Sequence, residues 1–171
     1  MFRALFARLT DEPKRGQALF RLAVAEARRP DWYLRGQVPD TVNGRFAVLA
    51  TIVALLMVRL DRDGEPGKDA GTALTERLVE SLDAEIREMG TGDPTLGKQV
   101  RQLVGAVAGR ADRWGKLVAT TETWGAELRR SVYLDETVAT EALDFSESAL
   151  RIFWARIEES RVEDLIDGKI G

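Results

Sequence analysis

The side chains that could do chemistry in this sequence are carboxylates and guanidinium groups, because the chain contains no histidine and no cysteine. The usual ligands of zinc, haem and iron–sulfur clusters are therefore missing, and nucleophile–histidine triads are impossible. Glu76, Glu80 and Asp83 follow helical spacings of four and three, so they can share one face and support carboxylate catalysis. The same residues also fit a solvated acidic face interleaved with Arg77 and Arg87. We predict no catalytic residue, no metal site and no cofactor.

A second kind of signal lies in the segment PDTVNGRF, residues 39–46. Asp40 or Thr41 can cap the start of a helix here. Gly44 lies just inside that helix, where glycine costs roughly 1 kcal/mol relative to alanine. A helix that tolerates this cost at its start is expected to make room for another group.

The segment REMGTGD, residues 87–93, carries a related pattern. Gly90 ends a strongly helical stretch, and Gly92, Asp93 and Pro94 then provide a stop, a turn and a new helix cap. Ordinary helix punctuation explains this pattern, and so does a functional turn.

Basic residues accompany both segments, and Arg45 stands at the start of an apolar helix. Four more cluster in sequence around the glycine turn: Arg87, Lys98, Arg101 and Arg110. If the flanking helices are antiparallel neighbours, these side chains line one basic edge near Glu88 and Asp93. Guanidinium groups bind carboxylates and phosphates in bidentate fashion, so such an edge suits either ligand. The alternative is internal pairing of Arg45 or Arg87 with Asp40, Glu88 or Asp93.

The elements that position these residues are all predicted to be helical, because apolar side chains recur at helical spacing and no segment alternates like a strand. The 171 residues are expected to form one domain, 1–171, an all-α compact bundle of about six to eight helices. The predicted helices are residues 1–9, 14–28, 41–62, 70–89, 94–110, one through Trp114 and Leu128, one through Ala142 and Ile157, and a final turn with Val162, Leu165 and Ile166. The clearest predicted break is the Asp-Gly-Glu-Pro-Gly loop at residues 63–67.

Helix 94–110 carries Gly97, Gly105 and Gly109 along its apolar stripe. Glycines at this spacing let another helix approach closely. The approaching helix is either a neighbour inside the protein or a hydrophobic partner helix.

Membrane contact is predicted at the surface only. The apolar run 46–58 has thirteen residues, short of the roughly 20 that span a bilayer, so we expect a buried central helix. The amphipathic residues 1–9 are expected to dock either on the protein or on a membrane surface. Residues 1–35 hold eight basic and four acidic side chains, whereas residues 122–171 hold six basic and twelve acidic ones. The first part is thus suited to an anionic membrane surface, while an acidic chain without a basic stripe argues against nucleic acid.

The order of these motifs resembles the ubiquinol-cytochrome c chaperone family. The resemblance rests on Trp-Tyr at 32–33, the PDTVNGRF and REMGTGD segments, Arg-Leu at 59–60, Gly-Lys at 97–98 and Gly-Arg at 109–110, and covers about residues 18–114. Relatives often carry a histidine in the helix after GRF and an aromatic residue before the Gly-Arg pair. Ile52 and Ala108 occupy these places here, so a histidine-dependent function is not expected.

The resemblance implies a non-catalytic assembly chaperone that binds newly made cytochrome b at the membrane during biogenesis of ubiquinol-cytochrome c reductase, respiratory complex III. The expected location is the cytoplasmic side of a bacterial inner membrane, or the matrix side in mitochondria, with a second assembly factor as a further partner. A peripheral lipid- or headgroup-binding helical module is the alternative. The residues expected to contact the partner are Asp40, Thr41, Gly44, Arg45, Phe46, Arg87, Glu88, Gly90, Gly92, Asp93, Gly97, Lys98, Arg101, Gly109 and Arg110.

Overall fold

The fold is an all-α bundle, as predicted. The computed structural model describes residues 14–88 and 96–171, and every regular element in these two stretches is a helix. The helices are α1 Gln17–Ala27, α2 Asp31–Leu34, α3 Val42–Leu60, α4 Gly64–Glu88, α5 Leu96–Leu117, α6 Gly125–Ser131, α7 Thr140–Glu159 and α8 Val162–Ile166, with a 3-10 turn at Asp61–Asp63. The predicted helix 1–9 lies outside the described residues.

Helix α3 is the centre of the bundle and packs against α1, α4, α5 and α7. Twelve of its 19 residues are buried, because its apolar side chains surround the helix rather than follow one stripe. The stretch Val42–Ala84, which joins α3, the 3-10 turn and most of α4, contains a window with a mean hydropathy of 1.6, enough by length and composition to cross a membrane. Since 61% of that window is buried inside the fold, the same composition fits a core helix, and the predicted buried central helix is confirmed.

The loop predicted at residues 63–67 is wrong, because α4 already begins at Gly64. Gly64 turns the chain with a φ of 62°, and Pro66 falls in the first helical turn, where its missing N–H has no helical acceptor. Gly67 completes the corner, since a Cβ there would stand 1.9 Å from the Leu60 carbonyl oxygen. The chain therefore bends sharply between two consecutive helices.

The single helix predicted through Trp114 and Leu128 is also wrong, because α5 ends at Leu117 and α6 begins at Gly125. Thr120 lies in the break: its hydroxyl donates to the Leu117 carbonyl at 2.9 Å and accepts from the Glu122 N–H at 3.2 Å. Such local side-chain bonds compete with helical hydrogen bonding.

Helix α7 is joined to α3 by the buried side chain of Arg59. Its Nε donates to the Ile157 carbonyl at 3.0 Å, Nη2 donates to the Ser160 carbonyl at 2.7 Å, and Nη1 pairs with Asp63. Arg59 thus satisfies carbonyls at the end of α7 that have no helical partner. The predicted final turn is confirmed as α8, whose Leu165 is buried.

Candidate functional site

A groove of about 780 Å³ lies between the end of α1, the connection that follows it, the start of α3 and the middle of α4. Its lining is mainly apolar: Val24, Ala27, Pro30, Leu34, Val42, Phe46, Leu49, Leu78 and Leu82. The polar lining residues are Arg28, Tyr33, Asp40, Arg45 and Ser81. The groove therefore contains three of the residues predicted to contact a partner, namely Asp40, Arg45 and Phe46.

The rim of the groove carries exposed hydrocarbon. Leu34 is 77% exposed and Val42 is 60% exposed, the highest fractions among the large apolar side chains of the described residues. Both line the groove, so its apolar surface continues outward onto the rim. A contiguous exposed apolar surface of this kind marks a binding site more often than scattered single side chains do.

The wall formed by α2 is held to the end of α1 by hydrogen bonds to main-chain oxygens. The buried indole of Trp32 donates from Nε1 to the Glu26 carbonyl at 2.9 Å, and the Tyr33 hydroxyl donates to the Ala27 carbonyl at 3.1 Å. The Glu26 carboxylate pairs with Arg29 at 2.8 Å. The connection between α1 and α2 is therefore held by hydrogen bonds to main-chain carbonyls and by a side-chain ion pair.

The segment between α2 and α3 is anchored from the opposite side by Tyr133. The buried Tyr133 hydroxyl lies 2.7 Å from the Gly36 carbonyl oxygen and 3.1 Å from the Ala142 carbonyl oxygen. It also lies 2.7 Å from Ser146 Oγ. Burial raises the pKa of Tyr133, with the hydrogen bond to Ser146 opposing that rise, so the phenol stays neutral and keeps its proton for these bonds. The groove is thus built on a preformed support.

The start of α3 explains the glycine of the PDTVNGRF segment. Thr41, rather than Asp40, is the cap, since its Oγ1 accepts from the Gly44 N–H at 3.1 Å. Gly44 is buried, and a Cβ there would stand only 2.0 Å from the Pro39 carbonyl oxygen. The glycine therefore makes room for the main chain of the same segment. Contact of Gly44 and Thr41 with a partner stays a prediction.

Asp40 and Arg45 form an exposed ion pair at the mouth of the groove, with Arg45 Nε donating to Asp40 Oδ1 at 2.6 Å. This hydrogen bond lowers the pKa of Asp40, so its carboxylate is ionised at neutral pH. Internal pairing, one of the two alternatives for Arg45, is confirmed.

Arg28 stands at the same mouth. Burial raises the pKa of Tyr33, and the charges of Arg45, Asp40 and Arg28 act on it in decreasing order, so both guanidinium groups lie near the phenol. Arg28 is exposed at the end of α1 and has no ion pair with any residue in the described ranges. The mouth thus holds two guanidinium groups and one carboxylate.

Arg110 does not lie on an exposed edge. It is buried between α5 and α6, where Nη1 donates to the Ala106 carbonyl and Nη2 to the Ser131 carbonyl, both at 3.3 Å. Burial lowers its pKa, nearby Arg113 lowers it further, and Glu127 opposes both. Its position is that of a structural link between two helices.

Gly105 and Gly109 of α5 face open space rather than a neighbouring helix, whereas a Cβ on Gly115 would stand 3.5 Å from Val58 Cγ2. Among the described residues, a Cβ on Gly105 would meet no atom within 4 Å, and one on Gly109 would meet only Arg113 Nη1 at 3.5 Å. Tight packing inside the protein is therefore wrong for these two positions, and contact with a partner helix stays a prediction.

The other predicted contacts are in helices or outside the described residues. Arg87 and Glu88 end α4, and Gly97, Lys98 and Arg101 lie in the first turns of α5. Gly90, Gly92 and Asp93 lie outside the described residues. These predictions are unchanged.

The carboxylates of α4 form ion pairs on the surface. Glu80 lies 2.7 Å from Arg77 and 3.4 Å from Lys14. Within residues 14–88 and 96–171, no group of three acidic side chains is arranged to hold a metal ion. Glu80 thus belongs to the solvated charged face that was the alternative prediction for the acidic residues of this helix.

Sequence reasoning missed Arg28, Leu34 and Val42. Leu34 lies in a helix of one turn, which is too short for an apolar repeat, whereas Val42 begins α3 and is followed at helical spacing by Phe46 and Leu49. The spacing of Val42 from Phe46 and Leu49 was the available signal, and no such spacing marked Leu34 or Arg28.

Comparison with known proteins gives the chain a family. The ubiquinol-cytochrome C chaperone model matches residues 35–150, more than half of the sequence. The chain belongs to the ubiquinol-cytochrome C chaperone family. The family match begins later than the predicted resemblance and continues beyond residue 114 into α7, so the predicted limits are corrected. It includes the α3 and α4 sides of the groove and excludes α1.

The fold is similar to a solved structure described as the Cbp3 homolog from Brucella abortus. The match has a TM-score of 0.78 and 24% sequence identity, and covers 100% of this chain and 96% of that chain. At this identity the likeness shows the fold alone. No curated protein matches the sequence.

Proposed function

We propose that this chaperone-family protein is non-catalytic and that its groove receives an apolar segment of newly made cytochrome b during assembly of ubiquinol-cytochrome c reductase. The family match supports the assembly function. The observation that carries the proposed site is the apolar groove with Leu34 and Val42 exposed on its rim. An amphipathic or apolar helix that lies in a hydrophobic groove is a recurrent mode of recognition.

The exposed rim residues allow an estimate of the binding free energy. Full burial of a leucine or valine side chain contributes about 1.5–3 kcal/mol. Leu34 and Val42 are 77% and 60% exposed, so a client that covers either one gains roughly 1–2 kcal/mol from it. The rigid corner at α1–α2 and the Tyr133 anchor reduce the ordering cost that binding would otherwise carry.

The proposal includes the location predicted from the sequence, at the inner face of the bacterial inner membrane or the matrix face in mitochondria. It also includes a second assembly factor as a further partner. The excess of basic residues in positions 1–35 supports contact with an anionic leaflet, to which each nearby basic side chain contributes on the order of 1 kcal/mol.

The test is co-purification of cytochrome b with the tagged protein from its native membranes in mild detergent. The double variant Leu34→Ser/Val42→Ser should lose most of the bound cytochrome b. Ile152→Ser is the matched control, because Ile152 is 57% exposed on α7 and does not line the groove. The wild type, the double variant and Ile152→Ser should melt cooperatively at similar temperatures, since the substituted side chains are mostly exposed. Equal recovery of cytochrome b with the double variant would refute the groove as the client site.

A further inference from the structure

The charged residues that line the groove are unbalanced. They are Arg28, Asp40 and Arg45, two cations and one anion. Asp40 is engaged by Arg45 at 2.6 Å, whereas Arg28 has no ion pair with any residue that the structure describes. The positive charge of Arg28 is therefore directed at whatever occupies the groove or at solvent.

A purely hydrocarbon occupant would cover this mouth and remove water from Arg28 without supplying an acceptor. Desolvating an unpaired charge is costly, whereas a carboxylate beside a guanidinium group forms a charge-assisted hydrogen bond. Tyr33 cannot supply that acceptor function by ionising, because burial raises the pKa of its phenol and its proton is donated to the Ala27 carbonyl. The missing partner is an anion on the ligand.

Resting on the proposed function, we infer that the client segment is an apolar helix with an aspartate or glutamate at the edge of its apolar face, and that Arg28 receives this carboxylate. With this carboxylate bound, the mouth of the groove contains two positive and two negative charges. A lysine or arginine at the same position of a client would face Arg28 and be rejected, so the pair provides selectivity as well as attraction.

Three labelled helical peptides of roughly 18 residues provide the probes, a length sufficient for helix formation. They share one leucine-rich face and differ at a single edge position, which is Glu, Gln or Lys. Fluorescence anisotropy with the full chain should give a Kd for the Glu peptide about three- to fivefold lower than for the Gln peptide, the size of an exposed ion pair. The Lys peptide should bind more weakly than the Gln peptide, and added salt should reduce both differences.

Variants of Arg28 identify the partner. Arg28→Gln should make the Glu and Gln peptides equal, and Arg28→Glu should reverse the order so that the Lys peptide binds best. Arg21→Gln is the matched control, because Arg21 is an exposed arginine of the same helix that does not line the groove. It should leave the peptide order unchanged. Both arginines are exposed, so the melting temperatures should be the same.

The outcomes separate this inference from the proposed function. If the three peptides bind equally well and Leu34→Ser weakens all of them, the groove binds apolar helices without a charge preference, and the carboxylate inference alone fails. If no peptide binds, both fail. If phosphatidylglycerol-containing vesicles displace the Glu peptide and their binding depends on Arg28, the anion is a lipid headgroup, and the polypeptide assignment is overturned.

Discussion

The substitution Gly44→Ala should destabilise the protein, although alanine is the better helix former. Gly44 lies in the first turn of α3, where alanine would normally gain about 1 kcal/mol. Here the new Cβ would stand 2.0 Å from the Pro39 carbonyl oxygen, and real Cβ contacts are essentially never shorter than 3.0 Å. The main chain at Pro39 must therefore move by at least 3.0 − 2.0 = 1.0 Å. A carbonyl of the main chain cannot turn aside as a side chain can.

The cost can be assembled from its parts. The displacement separates Thr41 from the Gly44 N–H, a cap worth about 1 kcal/mol. Overpacking of a buried site costs about 1–3 kcal/mol more, and the gain in helix propensity returns about 1 kcal/mol. The net loss is then about 1–3 kcal/mol. For a chain of this size it corresponds to a decrease in Tm of roughly 2–12 °C.

Gly105→Ala provides the matched control with the opposite sign. The change in chemistry is identical and the position is also helical, but a Cβ there meets no atom within 4 Å. It should stabilise the protein by about 0.5–1 kcal/mol. Thermal unfolding followed by circular dichroism measures both variants. An increase in Tm for Gly44→Ala similar to that for Gly105→Ala would refute the close approach of Pro39 and the structural function of Gly44.

Two further perturbations test the scaffold and the mouth of the groove. Arg59→Ala should lower the free energy of unfolding by roughly 2–4 kcal/mol in urea titrations, because carbonyls at the end of α7 lose their donor. Arg161→Ala is the control, because it removes only an exposed ion pair, and it should have a much smaller effect. Equal effects would contradict the structural function of Arg59. An NMR titration should give a lower pKa for Asp40 in the wild type than in Arg45→Gln, since the hydrogen bond from Arg45 causes the downward shift. Because the pKa of Asp40 is lowered in the folded state, the stabilisation from the Asp40–Arg45 pair is present above about pH 5 and is lost as the pH falls through that pKa. The same Asp40 titration midpoint in the wild type and in Arg45→Gln would show that the pair is absent in solution.

Much of the helical framework could be predicted from sequence because it depends on local patterns. The apolar run fixed the position of α3, and Pro30 and Thr41 marked helix ends that the structure has nearby. The errors occurred where the structure depends on close main-chain contacts that residue types alone do not reveal. Gly64 and Pro66 read as a loop, yet they form a tight corner because Gly67 can approach the Leu60 carbonyl.

The same division applies to the site. The sequence signalled that Gly44 makes room for another group, but only the folded segment shows that this group is the Pro39 carbonyl. Arg110 was placed with the basic residues near it in sequence, whereas its burial depends on how α6 packs against α5. Arg28, Leu34 and Leu78 line the same groove, and no helical period relates residues so far apart in the chain.

The geometry of the groove bears on how a chaperone releases its client. If a bound helix covers Leu34 and Val42, the two rim side chains together contribute roughly 2–4 kcal/mol, a factor of about 30 to 1,000 in affinity. An exposed ion pair with Arg28 adds less than about 1 kcal/mol. Most of the affinity therefore comes from apolar contact, and the charge mainly distinguishes an acidic helix from a basic one. Non-covalent contacts of this size hold an apolar segment reversibly. Transfer to the growing complex then requires only that the segment gain more buried surface there than the groove provides, and mutations that deepen the apolar contact, such as Val42→Leu, should slow release.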